Sequence, residues 1–167
     1  MAEKEEIFTS ALKYVGIFQF RKFYEFCYDW LTEETELEVA EEKYEEKLDG
    51  EMKHLEIKWV GRKKITDYFK FEVKVTFRII GLTNVEVMQN NQKTKANKGE
   101  VKIKCAGTLI RDYEGKFETG SFKKFLRSIY EKWVIPSRIE QYEDKLAGKC
   151  NEFLAQAKAF LDLEGRK

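Results

Sequence analysis

Between Phe69 and Ile79 the side chains alternate in polarity without a break. Phe69, Phe71, Val73, Val75, Phe77 and Ile79 fall on one parity; Lys70, Glu72, Lys74, Thr76 and Arg78 fall on the other. Successive side chains of a strand point to opposite faces, so this run reads as a long strand with one apolar and one wet face. Such strands belong to antiparallel sheets covered on one side only. The chain must therefore supply strands to pair with this one, and an apolar layer to cover its Phe/Val face.

Candidates for both stand in the sequence. Leu12–Gln19 is β-prone and reads as a first strand, after polar residues 1–9 that read as loose. Phe20, Phe23, Tyr24, Cys27, Trp30 and Leu31 recur at helical spacing, which predicts a helix over Phe20–Glu33. Glu36–Leu48 alternates on both sides of a slip near Ala40 and reads as a strand with a bulge, ended by a turn at Asp49–Gly50. Glu51–Val60 is the next strand, with Met52, Leu55, Ile57 and Trp59 near one face across a phase slip, and "GRK" at Gly61–Lys63 is a turn into the alternating run. After Gly81 come a short strand, "NVEVMQ" at residues 84–89, and a polar loop, "NNQKTKANKG" at residues 90–99. Alternation resumes at Val101, Ile103, Cys105 and Leu109, and "KFET" at 116–119 reads as a further short strand. Ser121 is a suitable N-cap for a helix carrying Phe122, Phe125, Leu126, Ile129, Tyr130, Trp133 and Val134. Pro136 interrupts it, and a second helix follows over Ser137–Leu163.

The predicted fold is α+β in two layers: an antiparallel, curved sheet of about five to six strands packed on a long C-terminal helical region, with one N-terminal helix after the first strand. Residues 1–167 read as one domain, since no linker or repeat divides them.

Charge is unevenly placed although the net is only +1. Glu33–Glu51 holds ten acidic residues against two lysines, whereas Met52–Arg127 holds eighteen basic residues against eight acidic ones. The simplest reading sets the two segments side by side, with side chains pairing across strands. Cys27, Cys105 and Cys150 are odd in number and far apart, which points to reduced core residues and a cytoplasmic protein. The first ten residues contain no apolar signal core, and no run approaches the roughly 18–20 apolar residues of a membrane span.

Two resemblances bear on the fold. The order of elements is loosely similar to that of helix-grip (START-like) domains, in which a curved sheet wraps a C-terminal helix; that resemblance implies an apolar-ligand cavity between the layers. "KYVGIF", "FYEFCYDWL", "KKITDYFKFEVKVTF" and "RDYEGKFETGSFKKFLRSIYEKW" together resemble a group of small archaeal proteins of unknown function, across roughly residues 12–135. This second resemblance implies an archaeal-type cytosolic origin and no particular chemistry.

Motifs for catalysis are sparse. His54 is the single histidine and reads as an ordinary strand residue ahead of a general base. The pairs Asp67–Tyr68 and Asp112–Tyr113 read as strand ends, and the glutamates at 41, 42, 45 and 46 as a solvated face. No Walker loop or GxGxxG is present, so no cofactor is expected. The leading function is a non-enzymatic binding or interaction module, with a homo-oligomer among its forms. The alternatives are nucleic-acid binding and an apolar ligand in a helix-grip-like cavity. For nucleic acid the candidate residues are Lys58, Lys70, Lys74, Arg78, Lys102 and Lys104 on outward strand positions, with Lys93, Lys95 and Lys98 on the adjoining loop. Missing from that face are aromatic residues to stack bases. Phe26 and Tyr28 lie off the main stripe of the first helix and are left to meet the C-terminal helices, a second subunit or a ligand.

Overall fold

The computed structural model describes residues 3–111, 121–129, 132 and 136–165. Five antiparallel strands form one sheet in the order β1-β5-β4-β3-β2, with β1 Glu3–Phe18, β2 Glu38–Asp49, β3 Met52–Lys64, β4 Phe69–Gln89 and β5 Gln92–Arg111. Helix α1, Phe20–Asp29, runs on into a π-helical turn, Trp30–Glu34; α2 spans Ser121–Ile129 and α3 spans Pro136–Gly165. The expected two-layer α+β arrangement is what the chain adopts, with five strands among the described residues. Asp112–Tyr113, the strand expected at 116–119 and the end of the helix expected to reach Val134 lie outside the described residues.

The alternating run behaves as its pattern dictates. Phe69, Phe71, Val73, Val75, Phe77 and Ile79 are all buried, on the face that carries α1 and α3. Complete burial of one such side chain contributes roughly 1.5–3 kcal/mol, so this strand alone supplies much of the drive for the helices to dock. Helix α3 lies along β1 and β5 and also touches α1. Its buried Leu146, Cys150, Phe153, Ala157 and Leu161 recur every three or four residues, one stripe of the helix. Proline at 136 opens this helix, at the first position, where no backbone N–H is called on.

Helix α1 is wedged between the sheet and α3, which accounts for its aromatic load. Phe23 meets Phe77 of β4 and Phe160 of α3; Tyr24 meets Trp59 of β3; Trp30 meets Phe153 of α3. The two residues off the stripe are used as well. Phe26 stacks on Phe160 with centroids 4.7 Å apart, and Tyr28 sets its ring against Trp59 at 5.7 Å. One helix with two packed sides needs more than one apolar face.

Several boundaries differ from the sequence reading, each for a local reason. Polar residues 3–9 are not loose but paired, from Glu3 opposite Arg111 onward; the ladder, the Arg111–Glu5 ion pair at 2.6 Å and the packing of Ile7 and Phe8 against the core hold this mostly polar segment. The slip in the acidic strand is a bulge between Glu41 and Lys43, close to Ala40 as expected. The hairpin before the alternating run turns at residues 65–68, not at Gly61, which lies within β3 against Leu37. β4 does not end at Gly81: a bulge between Ile80 and Thr83 absorbs Gly81 (φ +67°), and the strand continues to Gln89.

The largest correction concerns Lys93, Lys95 and Lys98, which stand on strand β5 and not on a loop. Asn90 and Asn91 both adopt left-handed dihedrals, φ 52° and 64°, and close a two-residue hairpin, so pairing resumes at once with Gln89 opposite Gln92. Asparagine tolerates this conformation and β-branched residues do not. Asn91→Val is expected to lower stability by roughly 1–2 kcal/mol in urea unfolding, and Asn91→Gly to leave it unchanged or raise it.

Phe125, Leu126 and Ile129 give α2 the helical stripe read from the sequence, and all three are exposed.

Candidate functional site

The register places the candidate cations. Residues directly opposite one another share a face, and the rows Lys58–Thr76–Lys104 and Glu56–Arg78–Lys102–Lys13 run across the sheet on the side away from the helices. Lys74, opposite Val60, and Lys70, opposite Lys64, belong to the same face, as does Lys98 opposite Thr83. Lys93 and Lys95 do not. They share the helix-side face with Asn97, whose Oδ1 accepts the Phe20 N–H at the start of α1. Seven of the nine cations are thus brought together and two are separated from them.

Carboxylates are threaded through this face. Glu56 holds Lys43 at 3.2 Å and Lys58 at 3.7 Å; Glu72 holds Arg62 at 3.3 Å and Lys74 at 3.8 Å; Glu100 holds Lys13 at 3.2 Å and Lys102 at 3.6 Å. Each acid thereby relieves the repulsion between two neighbouring cations. The acidic strand β2 lies beside basic β3 and pairs with it, as in Glu46–Lys53 at 3.0 Å. Pairs exposed on both sides contribute about 0–1 kcal/mol each, so they set solubility and register more than stability, whereas Glu72 is itself buried and its pairing with Arg62 offsets the cost of burying its charge.

The other motifs have structural employment. His54 accepts the Gly81 N–H on Nδ1 at 3.1 Å, tying β3 to the bulge of β4, and its Nε2 lies 3.7 Å from Asp49. Asp67 is exposed in the turn before β4 while Tyr68 is buried. Glu41 accepts the Tyr24 hydroxyl at 2.6 Å and the Trp59 indole N–H at 3.2 Å, joining β2, α1 and β3. Burial and the Glu41 carboxylate push the Tyr24 phenol up from 10.0 to about 12. Since the unfolded phenol ionises first, stability is expected to fall as pH rises between those two values. Tyr24→Phe removes the titration, and a shallower alkaline limb in urea midpoints against pH checks it.

A different site emerges between the layers. A cavity of about 230 Å3 lies beneath α3. Its buried walls are Leu31 from the π turn, Leu37, Phe71 and Val73 of β4, Cys105 of β5, and Leu146, Cys150 and Phe153 of α3. Its remaining lining is polar and more accessible: Glu34, Glu36, Lys63, Lys145 and Lys149 around buried Thr35. The two thiols are free and in hydrogen-bond contact; that contact and burial push Cys105 far above the usual thiol range. A protonated thiol is a weak nucleophile and packs as a small apolar group.

Glu36 sits at the rim in a left-handed conformation, φ 56°, which is uncommon for a residue of its type. The preceding turn sets it there: the Leu31 carbonyl accepts both the Thr35 hydroxyl and the Leu37 N–H, ending the π turn and redirecting the chain into β2. Lys63 Nζ lies 3.1 Å from the Glu36 carboxylate. That hydrogen bond holds the carboxyl below the usual carboxylate range, and Lys145 and Lys149 add to it.

None of the nine sequence-selected cations lines this cavity. Lys145 and Lys149 carried a readable signal, an i, i+4 lysine pair bordering the apolar stripe at Leu146 and Cys150. The left-handed Glu36 carried none, because its position depends on where the π turn ends. The described residues hold no group of three or more metal-ligating side chains, and no described helix is long and apolar enough to cross a membrane. Comparison with family models, curated proteins and solved structures gives no match.

Proposed function

We propose that this chain is a small-molecule binding module holding an apolar ligand between α3 and the sheet. The observation that carries this reading is the cavity of about 230 Å3 with buried apolar walls and a charged rim. Ligand sites generally combine such walls with a few polar groups that fix orientation, in volumes from about 300 Å3 upward, so the occupant here is small, of the size of a medium-length alkyl chain or a single ring. Burial and contact with Cys150 hold the Cys105 thiol protonated, which supports binding ahead of nucleophilic turnover. The pairing of the first strand with the last, under a long C-terminal helix, resembles the helix-grip arrangement, and a ligand between those layers fits that resemblance.

Displacement of an environment-sensitive apolar fluorophore by octanol tests the reading. Wild-type protein is expected to bind, and Cys150→Met, which extends a side chain into the cavity, to lose binding while circular dichroism shows it folded. Equal binding by the two proteins would place the ligand elsewhere.

The basic face supports a second reading, contact with nucleic-acid phosphates, because Arg78, Lys98 and Lys104 share it without a salt bridge among the described residues. The interleaved carboxylates and the lack of rings in the rows described favour a weak contact of this kind. Binding that disappears at moderate salt, and in Lys74→Glu with Lys102→Glu, is the expected outcome of a filter assay on single-stranded DNA.

A further inference from the structure

The rim of the cavity is charged in an uneven way. Three lysines from two elements, Lys63 of β3 and Lys145 and Lys149 of α3, line the same opening as Glu34 and Glu36. Lysines at i and i+4 stand one above the other on a helix, so Lys145 and Lys149 present their ammonium groups on one side of α3. Neither is engaged in a salt bridge among the described residues. Lys63 is engaged, and its partner is Glu36 at 3.1 Å.

Glu36 differs from an ordinary rim carboxylate. The left-handed backbone at φ 56° fixes its Cβ direction, and residues that commonly occupy this position after a helix, glycine and asparagine, have no carboxylate to offer. Its side chain is nevertheless 73% exposed, so it can swing aside into water at little cost. The carboxylate occupies the place where an anion is best stabilised, next to an apolar hole of the right size for a hydrocarbon tail.

Resting on the cavity reading above, we propose that the ligand is an amphipathic monoanion, a medium-chain carboxylate or its like, whose tail fills the cavity and whose head replaces the Glu36 carboxylate between Lys63, Lys145 and Lys149. Glu36 is then a tethered stand-in for the head group. It neutralises the lysines when the cavity is empty and is displaced on binding. Charge-assisted hydrogen bonds from ammonium to carboxylate are about twice as strong as neutral ones, so an anionic head gains more at this rim than a hydroxyl does. The two glutamates set the competing possibility, a cationic head, and the lysines oppose it.

Octanoate, octanol and octylamine share one tail and differ in the head, so calorimetric titration of the three at neutral pH separates the proposal from the reading beneath it. Octanoate is expected to bind about tenfold more tightly than octanol, since a hydrogen bond to a charged group is worth about that factor. Lys145→Gln with Lys149→Gln is expected to reduce this preference about tenfold. Glu36→Gln, which keeps the side-chain length and removes the competing charge, is expected to strengthen octanoate over octanol still further. Octanol binding as well as or better than octanoate, or octylamine binding best, would overturn the anion proposal and leave the cavity reading standing. A preference untouched by both sets of substitutions would do the same, and binding of none of the three would overturn both.

Discussion

Trp59→Ala is expected to cost about 3–5 kcal/mol of unfolding free energy, the largest loss available from one side chain in the sheet. Trp59 is 1% exposed and stands at the meeting point of three elements. Its ring lies 4.8 Å from that of Phe77, 5.1 Å from Tyr24 and 5.7 Å from Tyr28. Its indole N–H donates to Glu41 at 3.2 Å. Truncation would remove a large apolar surface, leave a void under α1, and take one of two donors from Glu41. Trp59→Phe separates these effects, since it keeps most of the ring contacts and loses only the indole donor. It is expected to cost about 1–2 kcal/mol, the order of one hydrogen bond plus a modest change in volume. Urea unfolding followed by circular dichroism reads both values; equal costs for the two variants would mean that the Glu41 contact, and not packing, holds this corner.

Phe153→Ala is expected to be nearly as costly, about 3–5 kcal/mol, and to change what the protein binds. Phe153 is fully buried on α3, packs on Trp30 at 5.7 Å and forms one wall of the cavity. Removing its ring enlarges the hole. A ligand that fills the extra space recovers stability through binding to the native state alone, by about 2.7 kcal/mol at a hundredfold excess over Kd. Decanol is therefore expected to raise the melting temperature of Phe153→Ala more than that of the wild type, with octanol showing the reverse order. An identical ranking of the two alcohols in both proteins would mean that Phe153 does not bound the ligand.

These two residues also show what the sequence makes legible. Trp59 and Phe153 sit in plain periodic patterns, alternation in β3 and the three-to-four spacing of α3, and both are buried as those patterns require. Periodicity reports which face of an element is covered, so the two-layer fold and the core of β4 are readable from it. Element ends are harder to read, because backbone ladders impose structure on segments that are mostly polar. Residues 3–9 pair with β5 despite their polarity, and Lys93, Lys95 and Lys98 lie on a strand because two asparagines turn tightly.

The functional site is less legible for a related reason. Seven of the candidate cations do share a face, because parity and register follow directly from alternation. The cavity draws residues from the π turn and the link after it, from three strands and from α3, far apart in sequence and with no recognisable motif. Its one conspicuous feature, Glu36 at positive φ, arises from how the π turn ends.

The cavity beneath α3 is central to the proposed function, and its most direct test is an octanol titration followed by two-dimensional 1H–15N NMR. The predicted result is a set of saturable shifts centred on Leu31, Thr35, Val73, Cys105, Leu146 and Phe153, with the outer sheet face at Lys74 and Lys104 unmoved. Shifts confined to exposed Phe125, Leu126 and Ile129 of α2, or no saturable shifts at all, would contradict it.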